Sequence, residues 1–278
     1  MAETDVTWRQ FLKTTAAGLS FLSQTPVAGA QKKTLLFVGA HMDDSEWGAG
    51  GVMFKALKAG HRVVVIQAVS DWSNWPPSQG REMQVKEGVM RVAKQMGVEK
   101  ILLGYKYHYT PVDLEIKRRV AEIMDGVKPD VGIIISENDY WTDHANAGRA
   151  GKDGIMFAHG YLGRVVKSPP VILTYSAAAN QTHDFRPDTF VDVTEVIDRV
   201  VWLINELGVG GNVLSEKGPQ YVSRLTLYGP AEQGYPKNLD LTAETAGLLA
   251  TDARWGDLCG VRYAEAFQTI RHTPSELW

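Results

Sequence analysis

The stretch Ala40-His41-Met42-Asp43-Asp44-Ser45-Glu46 places an imidazole and several carboxylates directly after an apolar run. A histidine and a carboxylate three positions apart, His41 and Asp44, can both reach one ion, and the intervening Asp43 is left free beside it. Histidine and carboxylate ligands with one position open are the composition of a catalytic zinc site. A hydrolase also needs a base close to the attacking water, and Asp43 is placed to be one. The same residues equally suit a helix N-cap followed by first-turn acids, since negative charge favours that end of a helix. A second polar cluster, from Asp139 to His144, holds another histidine, and Asp71 ends a further apolar run.

These clusters can meet only if the ends of their apolar runs lie together. Residues 34–40 form a short apolar run between lysines and the polar cluster at His41, which reads as a buried strand. Further strands are predicted over 62–69, 100–103, 131–136 and 171–175. Helices are predicted over 48–59, 81–96, 114–127, 145–162 and 194–207, with Gly60 and Gly97 as helix stops. Strands alternating with helices of this length imply an α/β, Rossmann-like fold: a mostly parallel sheet with helices on both faces. In such sheets ligands bind beyond the carboxyl ends of the strands, so His41, Asp71 and the 139–144 segment come to one edge. After Asn212 the pattern weakens. Residues 218–237, rich in Gly, Pro and Tyr, read as a long loop or small subdomain, followed by helices near 239–250 and 263–270.

The turn after the first strand resembles the pattern of the PIG-L/LmbE-like N-deacetylases, Ala-His-Pro-Asp-Asp-x-Glu-x-Gly-x-Gly-Gly. Ala40, His41, Asp43, Asp44, Glu46, Gly48, Gly50 and Gly51 match it, with Met42 in place of proline. That family's second motif is His-Pro-Asp-His followed by a helix containing Gly-Arg; here Trp141-Thr142-Asp143-His144 leads to Gly148-Arg149. A third, Tyr-Ala-Glu-x-Phe, is matched by Tyr263, Ala264, Glu265 and Phe267. The resemblance spans residues 34–267 and implies one zinc ion per chain bound by His41, Asp44 and His144, with Asp43 as general base. The implied reaction removes an acyl group, normally acetyl, from an N-acylated sugar or related amide through a metal-activated water.

Plainer roles accompany several of these residues. Glu46 suits a helix N-terminus, and Gly48, Gly50 and Gly51 permit close packing of the turn against the sheet. Tyr263 and Glu265 suit packing near the C-terminus or support of the site. Two departures from the family pattern stand out. Trp141 occupies the place of a histidine thought in that family to stabilise the oxyanion, a donor whose loss commonly costs ~10²–10³ in turnover. The loop after the third strand, acidic in many relatives, reads Tyr105-Lys106-Tyr107-His108-Tyr109. Aromatic rings at Trp72, Trp75, Tyr105, Tyr107 and Tyr109 could stack on a sugar face or serve ordinary loop packing. His108 and His183 are candidates for the missing donor, and Asp71, Trp141, Asp143 and Arg149 for substrate contact or support of the ligands.

The departure at Trp141 gives the reading its rival, a zinc-bearing saccharide-binding protein with weakened or lost catalysis. A nucleotide-binding oxidoreductase is disfavoured, because Gly48-Ala49-Gly50-Gly51-Val52-Met53 lacks the final small residue of the dinucleotide fingerprint and comes too late after the strand. A formal net charge of −3 and 22% charged residues give no reason to expect nucleic acid or an anionic membrane as partner. The single cysteine, Cys259, excludes an intramolecular disulfide and a thiolate cluster and reads as a small core residue.

Residues 1–30 differ from the rest. Thr7-Trp8-Arg9-Gln10-Phe11-Leu12-Lys13 precedes a weakly apolar stretch over 14–22, then Pro26 and Ala28-Gly29-Ala30. This is the layout of an export signal cleaved after Ala30, and it resembles a twin-arginine leader with Trp8 at the first arginine. The expected location is periplasmic or extracellular, or cytoplasmic if the signal is inactive. One catalytic domain over 31–278 follows. No apolar run approaches the roughly 20 residues of a membrane span.

Overall fold

A computed structural model describes residues 31–75, 78, 80–177, 182–207 and 243–270. The leader expected over 1–30, the segment 218–237 and the start of the helix expected over 239–250 lie outside these residues.

The described strands form one seven-stranded sheet in the order β3-β2-β1-β4-β5-β7-β6. They are β1 (Thr34–Gly39), β2 (Arg62–Asp71), β3 (Glu99–Lys106), β4 (Val131–Ile135), β5 (Val171–Tyr175), β6 (Thr189–Asp192) and β7 (Ala264–Ile270). The first five pair in parallel, and β7 is antiparallel to both β5 and β6. Leu35, Leu36, Phe37, Val63, Val64, Val65 and Ile133 are all buried. Strands covered on both faces have no solvent side, which is why these runs are continuously apolar rather than alternating.

The helices are α1 (Asp44–Lys58), α2 (Glu82–Met96), α3 (Leu114–Val127), α4 (Thr142–Met156), α5 (Ala158–Leu162), α6 (Ile197–Leu207) and α7 (Ala243–Cys259). With α1 packed on α6, and α3 on α4 and α5, the reversal of strand order between β1 and β4 sends right-handed crossovers to opposite faces of the sheet. The α/β architecture is therefore as expected. Its switch point lies between the strand ends that carry His41 and the 139–144 segment. Gly60 (φ 81°) and Gly97 (φ 84°) supply the left-handed turns after α1 and α2. No helix among the described residues is long and apolar enough to cross a membrane.

The structure corrects four expectations. Residues 264–270 are a strand, not a helix: Ala, Glu and Gln favour helix locally, but a ladder on each edge and burial of the first four residues override that preference. Strand β6, pairing with β7, was not foreseen. The helix expected over 145–162 is two helices, broken at Phe157 (φ −114°), and it begins earlier, at Thr142. Cys259 is half-buried at the end of α7 rather than in the core.

Helix α1 is kinked. Ala49 (φ −154°, ψ 21°) leaves the helical region, so a new helical N-terminus starts within the glycine-rich stretch. The amides of Gly51 and Val52 donate to the two oxygens of Glu265 at 2.5 and 2.8 Å, so a carboxylate from β7 caps this internal start. Gly48 is required by close approach: a Cβ there would lie 2.1 Å from a Tyr175 ring carbon.

Candidate metal centre

Asp44 opens α1, where chain direction turns away from β1. Its Oδ2 accepts from the amides of Ala40 (2.9 Å) and His41 (2.6 Å), which fixes the carboxylate and leaves Oδ1 3.2 Å from His144 Nε2. His144 lies in the first turn of α4, after the loop that leaves β4. Gly148 lets that helix sit on the strand end, since a Cβ there would meet the Ile135 carbonyl oxygen at 2.5 Å.

Each imidazole is held from outside by a buried carboxylate. His41 Nε2 lies 3.0 Å from Asp143 Oδ2, and His144 Nδ1 lies 3.0 Å from Asp139 Oδ2. Donation at those nitrogens fixes both tautomers and turns the other two, His41 Nδ1 and His144 Nε2, toward each other at 3.0 Å. His41 Nδ1 is also 3.5 Å from Asp44 Oδ2. Two facing lone pairs repel unless a proton or cation lies between them. The donor set fits zinc: donors at ~2.0–2.1 Å in a tetrahedron are about 3.3 Å apart, and the observed separations bracket that value. One donor atom from each of His41, Asp44 and His144 lies within 4.8 Å of the others, so this group could hold a metal ion. Backing of each histidine by a carboxylate is the usual support of metal-ligating imidazole.

Burial opposes charge on His41, but Asp44 and Asp143 outweigh it and raise the ring to about 9. His144 is raised to about 10 in the same way, by Asp44 and Asp139 against burial. Burial also opposes charge on Asp44, yet the two imidazoles hold it well below the carboxylate range. Asp143 is lowered to about 2, where bonds from His41, Thr110 and His108 overcome burial. Asp43 goes the other way, to about 7, driven first by burial and then by the Asp44 charge. It is the carboxylate beside the group that binds a proton near neutral pH.

Under the loop lies a buried ion pair. Lys100 Nζ on β3 is 2.7 Å from Glu46 Oε1 and donates to the Met42 carbonyl oxygen at 2.7 Å, bracing the peptide before Asp43. Glu46 thus does more than favour a helix start: it neutralises this lysine.

Residues 36–155 match the profile of PIG-L, described as GlcNAc-PI de-N-acetylase. Over that segment, which is less than half of the chain, the protein is similar to the PIG-L family. Among curated proteins it is similar to the 4-oxalmesaconate hydratase of Pseudomonas putida, 25% identical over 181 residues, which cover 60% of this chain and 70% of that protein. In fold it is similar to N,N'-diacetylchitobiose deacetylase from Pyrococcus horikoshii, with TM-score 0.66, 18% identity and 99% of each chain covered. It is also similar to GalB, the 4-carboxy-2-hydroxymuconate hydratase from Pseudomonas putida, with TM-score 0.64, 20% identity, and 88% of this chain and 99% of that one covered. At such identities the structural likeness concerns the fold.

Of the residues expected at the PIG-L site, the structure gathers His41, Asp43, Asp44, Asp143 and His144, with Trp141 and His108 beside them. The Trp141 ring stacks on His144 (5.8 Å) and meets His41 edge-on (6.1 Å), while His108 stacks on its plane at 6.1 Å. His108 has φ 66°, and its amide donates to Asp143 at 2.7 Å, so the 107–109 loop is pinned to the carboxylate that holds His41. Tyr107 lies 5.2 Å from the His41 ring and 5.9 Å from Trp75, forming an aromatic wall.

Other expected residues are elsewhere. The Asp71 carboxylate accepts from the Ser73 amide in a turn, and exposed Arg149 pairs with Glu137. His183 is exposed, with its amide donating to Asn138. Trp72 is a core residue, 1% exposed, and cannot stack on a ligand. Sequence reasoning missed Asp139 and Lys100. The only signal for Asp139 was its place in the polar cluster ending at His144, and for Lys100 a charge beginning an apolar strand.

Proposed function

We propose that this chain is a PIG-L-type, metal-dependent amide hydrolase that removes an acyl group, acetyl first, from an N-acylated sugar or related amide. The observation that carries this reading is the pair of imidazole nitrogens turned inward beside Asp44, each ring fixed from behind by its own carboxylate. Zinc held by His41, Asp44 and His144 would supply a Lewis acid for an amide carbonyl. Asp43 takes the proton of the attacking water and returns it to the leaving amine. Asp139 and Asp143 hold the ligands in their tautomers. Trp141, Tyr107 and Trp75 offer rings to one face of the substrate, and the Trp141 indole N–H is a neutral donor where an imidazolium would carry charge. If residues 1–30 direct export, the substrate is an extracellular saccharide or glycoconjugate, and mature protein begins at Gln31.

Water addition to an unsaturated acid is the second reading, favoured by the name of the 25% identical relative. Zinc-loaded protein assayed on N-acetylated sugars and short amides, with acetate release measured beside the absorbance of unsaturated dicarboxylates, separates the two. Acetate release abolished by chelation is the expected result. Loss of absorbance without acetate would replace hydrolysis by hydration. Neither activity, with saccharide bound, would leave the zinc-bearing binding protein.

A further inference from the structure

A second cavity, of about 200 Å³, lies among α1, β7 and α7, and none of His41, Asp43, Asp44 or His144 lines it. Its lining includes the aromatic residues Trp47, Phe185 and Trp255 and the acidic residues Asp252 and Glu265, with Arg254 beside them. Its volume is below the roughly 300–1,000 Å³ of pockets for drug-sized ligands, so only a small molecule fits.

The two carboxylates are not equivalent. Both Glu265 oxygens accept from the Gly51 and Val52 amides, which favours the ionised form, but burial outweighs these bonds and raises the carboxyl to about 7. Asp252 is 4% exposed, lies against the Glu265 charge, and its Oδ2 has no hydrogen-bond partner. Burial and the neighbouring Glu265 carboxylate hold Asp252 well above the carboxylate range, so it keeps a proton unless a positive group takes that proton's place. Arg254 does not provide it: the residue is exposed, and its guanidinium lies 5.5 Å over the Trp255 ring. Phe185 meets Trp255 edge-on at 6.3 Å. Aromatic faces around a buried carboxylate are the chemistry that recognises an organic ammonium ion, through cation–π attraction and charge.

We propose that this cavity is a binding site for a small organic ammonium ion, with Asp252 as counter-ion and the rings of Trp47, Phe185 and Trp255 as its walls. The site is separate from the metal group and does not depend on the hydrolase reading.

The test uses the full chain, zinc-loaded, titrated by calorimetry and ligand-observed NMR with choline and with its neutral isostere 3,3-dimethylbutan-1-ol. Choline should bind about tenfold or more tightly than the isostere, the ratio a desolvated cation–π contact provides. Asp252→Asn should reduce choline to the affinity of the isostere. Trp255→Leu, at a half-buried position, should weaken it several-fold and serves if the first variant does not fold. Arg254→Gln removes a like charge and should leave choline binding unchanged or tighter. Equal affinity for choline and isostere, or binding of neither, would overturn the proposal and leave a proton shared by Asp252 and Glu265. Loss of choline binding in Arg254→Gln, or displacement of choline by acetate, would also overturn it, since the cavity would then read an anion.

Discussion

The substitution Asp139→Asn tests how the ligand tautomers are set. Both oxygens of this carboxylate are used: Oδ2 faces His144 Nδ1 at 3.0 Å, and Oδ1 accepts from the Trp141 amide at 2.8 Å. An asparagine has one acceptor oxygen and one amino group. If its oxygen keeps the Trp141 amide, its NH2 points at His144 Nδ1. That nitrogen must then carry the lone pair, and the ring proton moves to Nε2, the atom that faces the metal position. If instead the oxygen keeps His144, the Trp141 amide meets a donor and the turn into α4 opens. Either arrangement weakens the site. Loss of such an outer partner commonly reduces metal affinity ~10–100-fold, or about 1.4–2.8 kcal/mol. Competition with a chromogenic zinc chelator measures the change, and zinc-dependent thermal stabilisation should shrink in parallel because bound metal stabilises only the folded state. Unchanged zinc affinity in a folded Asp139→Asn protein would refute the tautomer argument.

Asp43→Asn should retain zinc and lose ~10²–10⁴ in turnover, because an amide cannot accept the water's proton; wild-type hydrolysis would remove Asp43 as base. Zinc affinity should rise with pH. His41 and His144, raised to about 9 and about 10, hold protons at pH 7 that the metal displaces, giving up to ~tenfold per pH unit for each proton released. A flat affinity from pH 6 to 8 in calorimetry would contradict this. Lys100→Met should destabilise the fold by ~3–5 kcal/mol by stranding the Glu46 charge, and adding Glu46→Leu should restore most of it in denaturant melts. Trp141→His should raise turnover, by up to ~10² if the donor geometry is recovered. An unchanged or lower rate would show that Trp141 serves substrate binding or that Tyr107 or His108 already supplies the donor.

The parts of the fold that sequence made legible are those with local causes. Apolar runs ending in polar clusters mark β1 and β4, and the clusters lie at the switch point because strand order reverses there. His41 and Asp44 could be paired from their spacing, but His144 joined them only through the resemblance to the PIG-L/LmbE-like motifs. Asp139 and Lys100 were not legible in the same way. Their roles depend on which side chain a tight turn aims at a ring, or on a lysine reaching a neighbouring strand end. Residues 264–270 misled because local preference favours helix while their setting between β5 and β6 demands extended backbone. Trp72 misled because a residue just past a strand end can still point inward.

The cap that Glu265 places on the kinked helix spans 214 residues of sequence. Contacts so distant form late, because closing a long loop must precede any gain from it. The helix that begins at Asp44 is therefore unfinished while the chain is still being synthesised, although every ligand has already left the ribosome. Synthesis arrested before Ala264 should give a nascent chain that holds His41, Asp44 and His144 yet captures zinc poorly, and release of the last strand should bring metal uptake and protease resistance together.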